Sequence, residues 1–337
     1  MDKAYEPPFE MTEECTNLVI EIATLVGSIT AYQHLPFSPQ LRRLNRIRTI
    51  HSSLAIEQNM LTLEQVTDVI DGRQVLASPQ GVKEVKNAYE LYEQMDSFKP
   101  HAIEDLLSAH RVMMADLIKD AGRFRSHEAG VYSGRKLIHA GSLSRFVPEL
   151  MGQLFNWMRT SKLHPLIRSC VFHYEFEFIH PFTDGNGRIG RFWHSLILSK
   201  WQPLFAWLPI ESLVHHRQEA YYEALDFSNR AGQCTRFVEF MLTIIRDSLL
   251  EAKVSVSNVT DKMTDNVTDI EGLRWRHIKS YLQQHGSMQN ADAQSMLKVS
   301  DATVKRLLHK LVGLGLLEAQ GERKARSYAL PREIDIS

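Results

Sequence analysis

The twelve positions His180-Pro-Phe-Thr-Asp-Gly-Asn-Gly-Arg-Ile-Gly-Arg191 concentrate side chains suited to phosphate chemistry. Pro181 biases the residue before it away from helical angles, so an apolar helix running up to Ile179 should stop there and leave His180 at its end. Gly185, Asn186 and Gly187 accept positive φ, which lets the backbone fold into a tight concave loop. A loop of that kind entering a helix points successive N–H groups inward and forms an anion-binding nest. Arg188 and Arg191 are i and i+3 on the helix that follows, so both guanidinia can face one side, and their forks match phosphate oxygens. Asp184 is a hard oxygen ligand suited to a Mg²⁺ that bridges phosphates. His180 is the one group in the loop able to take a proton near neutral pH.

Taken singly, each residue has a plainer account: a packed core histidine, a Gly-Asn-Gly turn, surface ion pairs. Seven suitable residues within twelve positions argue against coincidence. Competing chemistries fit worse. The chain has no Gly-x-x-x-x-Gly-Lys-Ser/Thr phosphate loop, no Gly-x-Ser-x-Gly elbow and no His-Glu-x-x-His zinc helix. His164, His173 and His180 are nine and seven positions apart, which does not line all three on one helical face and argues against zinc.

The segment resembles the signature of the Fic family, His-x-Phe-x-Asp/Glu-Gly-Asn-Gly-Arg-x-x-Arg. His180, Phe182, Asp184, Gly185, Asn186, Gly187, Arg188 and Arg191 match it without a departure. His164-Pro165, His173-Tyr174, Gly122-x-x-Arg125 and Arg145-Phe-Val-Pro148 agree with it, and the resemblance covers roughly Glu10 to Leu250. It implies a mainly α fold, a Fic-type helical bundle with a β-hairpin flap. It also implies transfer of AMP from ATP to a Ser, Thr or Tyr hydroxyl of a protein target, the chain itself included. Carried over by position, His180 would deprotonate the hydroxyl and Asp184 would hold Mg²⁺ on the α- and β-phosphates. The backbone of Gly185, Asn186 and Gly187, with the Asn186 side chain, would stabilise charge developing at the α-phosphate. Arg188 would grip the β-phosphate side and Arg191 the γ-phosphate, while Phe182 is structural. The flap at Val131 and Tyr132 would hold the target by strand addition, although this chain carries extra residues between Arg125 and Gly134. Tyr221 or Tyr222 either lines the adenine pocket or packs in the core.

A second resemblance lies nearer the N-terminus, where Ser53-Leu-Ala-Ile-Glu57 is similar to the family's inhibitory-helix pattern, Ser/Thr-x-x-x-Glu-Gly/Asn. Ser53 and Glu57 are i and i+4, so both face one side of a helix and the carboxylate can pair with a guanidinium. A Glu57–Arg191 pair would take away the anchor of the γ-phosphate. Gln58 departs from the pattern, with Asn59 following at once. In some relatives this glutamate also supports removal of AMP, so a reversal activity stays open.

These residues need a scaffold, and helical periodicity supplies one. Helices are expected over Cys15 to His34, Gln40 to Ser53, Thr62 to Asp71, Gln80 to Met95, Ile103 to Asp116 and Pro148 to Thr160. Another should open at His164-Pro165 and run through Phe178, followed by Ala220 to Ser228 and Thr235 to Lys253. Gly122 to Val147, with four glycines and the alternating run Arg135 to His139, reads as a functional loop carrying a hairpin. Val254 to Asp269, poor in large apolar residues, reads as a linker. The expected divisions are an N-terminal helical region over 1–88, a catalytic domain over 89–253, the linker over 254–269 and a small domain over 270–337.

That last segment reads as Leu273 to Gln284, Ala291 to Leu297 and Asp301 to Leu314, then two short strands around Gly321. The order suits a winged helix-turn-helix of α+β type. Lys305, Arg306 and Lys310 on its third helix, and Arg323, Lys324 and Arg326 in the wing, are candidate DNA contacts, with protein contact as the other reading.

Composition bounds the rest. A chain of 337 residues, 44% hydrophobic and 23% charged, excludes wholesale disorder, collagen and coiled coil. The net charge of −1 excludes a uniformly basic polyanion binder, yet it hides a segment from Ile270 onward with net +4 and a remainder with net −5. Cys15, Cys170 and Cys234 are odd in number and far apart, which points to a reducing compartment. The acidic N-terminus does not suit a signal peptide, and the apolar runs are too short for a bilayer. The expectation is a soluble cytoplasmic protein without membrane contact. Two further functional readings remain beside AMP transfer: a DNA-binding regulator whose Fic body senses nucleotide, and transfer of another nucleotide-derived group. The family resemblance also leaves room for a homo-oligomer.

Overall fold

Two helices that are buried on nearly every face form the centre of the unit spanning Met1–Lys253. Pro165–Ile179 (α7) and Asn186–Trp201 (α8) bury almost all of their residues, as helices must when other elements surround them on all sides. They pack closely enough that a Cβ at Gly190 would lie 2.5 Å from Glu177 Oε1 and 3.2 Å from Phe176. The loop between them carries the signature. The structure is a computed structural model that describes residues 5–30, 39–128, 130–133, 136–266, 269–313, 316–321 and 326–331.

Around this pair stand Glu13–Thr30 (α1), Pro39–Ile56 (α2), Leu63–Ile70 (α3), Pro79–Glu93 (α4), Ile103–Met113 (α5) and Val147–Thr160 (α6). Ile210–His216 (α9), Gln218–Ala231 (α10) and Thr235–Asn266 (α11) follow. Local chemistry sets several of their ends. Thr62 and Gln65 form a reciprocal capping box at α3, Ser78 caps α4 ahead of Pro79, and His164 Nδ1 accepts the Leu166 N–H ahead of Pro165 at α7. The flap is a two-stranded antiparallel hairpin, Gly130–Ser133 (β1) with Lys136–Ala140 (β2), whose register shifts between Val131 and Tyr132.

The chain divides into two compact units, Met1–Lys253 and Val254–Ser337. Two expected boundaries change. Residues 88 and 89 fall inside α4, so no break separates the N-terminal helices from those that follow. Val254 to Asp269 is helical through Asn266 instead of irregular. Once the packed turns from Thr235 have nucleated α11, each added residue costs little, and a polar composition does not stop propagation.

The second unit contains Asp269–His285 (α12), Ser287–Gln289 (β3), Asn290–Leu297 (α13), Asp301–Gly313 (α14), Glu318–Gln320 (β4) and Ser327–Ala329 (β5). Its antiparallel sheet has the order β3-β5-β4. The strand β3 adds to the expected two. Ile278, Leu282, Met288, Val304, Leu308, Leu311 and Tyr328 form its own core. Among the described residues no helix is long and apolar enough to cross a membrane.

Candidate active site

α7 stops at Ile179, as Pro181 favours, and His180 leaves the helix in the left-handed conformation (φ 53°, ψ 63°). The carbonyl contacts explain how it is held there. Arg125 is 2% exposed, and its Nε donates to His180 O at 2.7 Å and its Nη2 to Ile179 O at 3.3 Å. The Arg125 N–H reaches Pro181 O at 2.9 Å. The same guanidinium donates to His127 O and Ser142 O, on either side of the flap hairpin. One buried arginine thus fixes both the turn that carries His180 and the base of the flap, and it holds in place a backbone conformation that is costly for a residue with a Cβ.

His110, which sequence reasoning missed, supports the loop from below. It is fully buried on α5, stacked on Phe182 with centroids 3.6 Å apart. Its Nδ1 accepts the Gly122 N–H at 2.8 Å, so the proton sits on Nε2, which donates to Asp184 O at 2.9 Å. Burial pushes this imidazole down to about 4, so it stays neutral and the tautomer is fixed near pH 7. A histidine on the inner face of a predicted amphipathic helix is the only trace of this role in the sequence.

Within the loop, Gly185 alone of the three candidates takes positive φ (84°), and a Cβ there would lie 2.6 Å from Met114 Sδ. Asn186 and Gly187 belong to α8. The Asn186 carboxamide closes the loop on itself, accepting Phe182 N–H and donating to Phe182 O, both at 2.8 Å. Both polar atoms of the Asn186 side chain are thus engaged by backbone, and only the second N–H of its amide nitrogen is left for the expected role at the α-phosphate. Gly187 is needed for proximity, since a Cβ there would stand 2.3 Å from Glu57 Oε1.

Asp184 is about half exposed, with Oδ1 accepting Gly185 N–H at 2.6 Å and Arg188 Nη2 at 2.9 Å. Among the described residues no group of three or more acidic, histidine or cysteine side chains could hold a metal. A single exposed carboxylate fits a Mg²⁺ held mainly by substrate phosphates and waters.

Both arginines of the motif are buried and face carboxylates. Arg191 donates to Ser53 Oγ at 3.1 Å, Ser53 O at 3.0 Å and Glu57 Oε1 at 2.7 Å. Burial is the largest influence and acts to lower the Arg191 pKa, but the Glu57 charge and hydrogen bond, with Tyr221 and Glu177 beside them, together outweigh it and the net direction is upward. Arg188 meets Asp184 and, at 3.7 Å, Glu84 Oε1. The α2 end that aims Glu57 is a complete Schellman turn, with Gln58 N–H on Ala55 O and Asn59 N–H on Leu54 O, both 3.0 Å. Gln58 occupies its left-handed position at φ 66°. That is the physical reason the pattern favours Gly or Asn there. Gln58→Gly is expected to stabilise the fold by about 1 kcal/mol, raising the melting temperature by about 2–4 °C. A lower melting temperature in thermal denaturation would contradict this account.

The other expected residues scatter. Tyr221 is a core residue, 1% exposed, with its hydroxyl 3.1 Å from His173 Nε2 and Phe237 against its ring. It has no free face for a purine. Tyr222 is half-buried, and its phenol is pushed up first by burial and then by the Glu57 charge, which places it within electrostatic reach of the site. Val131 and Tyr132 lie on β1. In the second unit Lys305 and Arg306 are exposed on α14, Lys305 paired with Asp301 at 2.7 Å. Lys310 is on the same helix, Arg326 lies over the Tyr328 ring at 5.7 Å, and Arg323 and Lys324 fall outside the described residues.

The family model described as Fic/DOC family matches residues 100–198. The solved structure of a Fic family protein from Desulfovibrio desulfuricans G20 superposes with a TM-score of 0.73 at 40% identity, covering 98% of this chain and 99% of that one. The chain belongs to the Fic/DOC family. Among curated Fic relatives, "Protein adenylyltransferase fic-1" of Caenorhabditis elegans is 29% identical over 233 residues, 62% of this chain and 42% of the relative. "Protein adenylyltransferase Fic" of Nematostella vectensis is 26% identical over 208 residues, 57% of this chain and 45% of the relative. This Fic chain spans less than half the length of those curated relatives. The Fic motif therefore sits on the α7–α8 loop, with its two arginines on α8.

Proposed function

We propose that this chain is a Fic-type protein adenylyltransferase held in check by its own α2. The observation that carries the reading is the convergence at the start of α8 of Asp184 from the loop with Arg188 and Arg191 from the helix, next in the chain to His180, with Glu57 seated on Arg191. ATP would place its triphosphate along the α8 N-terminus, with Arg188 and Arg191 on the β- and γ-phosphates. A Mg²⁺ at Asp184, when bound, would draw the phosphate charges together. Asn186 and Gly187 would contribute backbone N–H groups at the helix start, where charge develops on the α-phosphate, and the Gly185 N–H would join them on leaving Asp184 Oδ1. His180 takes the proton of a Ser, Thr or Tyr hydroxyl as its oxygen forms the new bond to the α-phosphorus and pyrophosphate leaves. The hairpin β1–β2 offers strand edges to an extended target segment, and Tyr222 is the aromatic candidate beside the adenine.

The experiment is intact-protein and peptide mass spectrometry after incubation with ATP and Mg²⁺. The expected result is a gain equal to AMP less water on a hydroxyl side chain. A different adduct mass would favour another nucleotide-derived group, and nucleotide binding without an adduct on any supplied protein would favour a sensor.

For the second unit we propose a winged-helix role in which α14 contacts DNA phosphates through exposed Lys305 and Arg306. Binding of the full chain to duplex DNA should weaken steeply with salt. Its absence would favour a protein partner.

A further inference from the structure

We propose that Glu84 is a second internal carboxylate that keeps ATP off the phosphate end, acting on Arg188 as Glu57 acts on Arg191. The inference rests on the nucleotide-binding reading above and extends it to a residue outside the motif, on a different helix from either partner.

Glu84 stands on α4 with its side chain 13% exposed, and its Oε1 lies 3.7 Å from Arg188 Nη1. Its Oε2 accepts from Asn59 Nδ2 at 2.7 Å. Asn59 closes the Schellman turn after Glu57 and is itself fixed, donating to Gly81 O at 3.2 Å and accepting the Leu61 N–H at 3.1 Å. Glu84 therefore touches the phosphate-binding helix on one side and the end of α2 on the other. Charge decides what this does. Among the described residues two guanidinia, Arg188 and Arg191, face three carboxylates: Asp184, Glu57 and Glu84. With Asp184 assigned to the metal, each arginine has one carboxylate of its own, and an arriving triphosphate meets a site without net positive charge.

The two contacts of Glu84 act in the same direction. The pair with Arg188 is longer than a charge-assisted hydrogen bond, so the guanidinium can turn towards a phosphate, yet the opposing charge stays in place beside it. The bond to Asn59 steadies the turn that aims Glu57 at Arg191. Removing the Glu84 charge should therefore favour nucleotide directly, and removing the whole side chain should favour it a second time through α2. Glu57, Asn59 and Glu84 also line one open cleft of about 620 Å³ between residues 57–65 and 76–84. A shortened side chain at 84 thus meets water in place of apolar core.

The test is calorimetric binding of ATP with Mg²⁺ to the full chain, comparing wild type, Glu84→Gln, Glu84→Ala, Glu57→Gly and the Glu57→Gly/Glu84→Gln double variant. Glu84→Gln should raise ATP affinity about 3- to 10-fold, the scale of one partly screened carboxylate. Glu84→Ala should raise it at least as much, because it also releases Asn59. In the Glu57→Gly background the Glu84→Gln gain should persist, since the direct effect on Arg188 remains. If Glu57→Gly binds ATP and the Glu84 variants leave affinity unchanged or weaken it in both backgrounds, Glu84 orients Arg188 for substrate and the proposal is overturned. Absence of ATP binding by Glu57→Gly would instead overturn the nucleotide reading itself.

Discussion

Replacing His180 by alanine in the Glu57→Gly background is expected to lower the rate of AMP transfer by about 10³-fold while leaving ATP affinity within a factor of about two. The split follows from where the contacts lie. The groups proposed to bind phosphate, Asp184, Arg188 and Arg191, are on the loop and α8, and they bond to the Gly185 N–H, to one another, to Ser53 and to Glu57. The conformation of the turn is imposed on the His180 backbone, through Arg125 on its carbonyl and the His180 N–H on Phe176 O at 2.9 Å. Alanine inherits both contacts, so the nest and the two arginines should keep their positions. What would be lost is the group proposed to take the hydroxyl proton, and with it the step rather than the binding. Radiolabelled ATP reports the transfer and calorimetry reports the binding. Labelling that survives at the parental rate would remove His180 from the chemistry. Equal loss of binding and rate would mean that the side chain, not Arg125, holds the loop.

The contiguous part of this site was legible before the fold was known, because a nest, two arginines and a base within twelve positions form one loop and one helix start. Its support was not. His110 and Asp184 are 74 positions apart, and Arg191 and Ser53 are 138 apart. Only packing brings them together, and no spacing rule reaches that far. Asn186 shows a different limit: residue type cannot tell whether a carboxamide faces a substrate or closes its own loop onto Phe182. Gln58 shows the converse, since a departure from a pattern became interpretable once its positive φ was known. In the helices, apolar periodicity located α5 to α7 well. It missed α9, whose seven residues are too few for a period, and it ended α11 too early, because the packed turns carry the polar ones along.

Glu57→Gly is expected to raise ATP affinity about 10- to 100-fold and transfer with it, the range that loss of one charge-assisted contact to a buried guanidinium implies. In the proposed reading Glu57 would compete with the γ-phosphate in two ways. Its Oε1 holds Arg191 Nη2 at 2.7 Å, and the same oxygen occupies the space above Gly187 that a phosphate at the α8 N-terminus needs. The substitution leaves Arg191 bonded to Ser53 Oγ and Ser53 O, so the guanidinium should stay in place and present the fork edge that Glu57 had taken. Stability should move the other way. Arg191 is 3% exposed and loses its counter-charge, so the variant without nucleotide should melt below wild type. Saturating ATP and Mg²⁺ should then raise its melting temperature by more than they raise that of wild type, because the stability added by a ligand that binds the folded state grows with the logarithm of its concentration over Kd. A thermal-shift titration of both proteins reads the two effects together. If the variant melts lower and nucleotide fails to recover it, Glu57 is a structural partner of Arg191 and not a brake. If melting and affinity are both unchanged, the 2.7 Å pair does not govern access to the site.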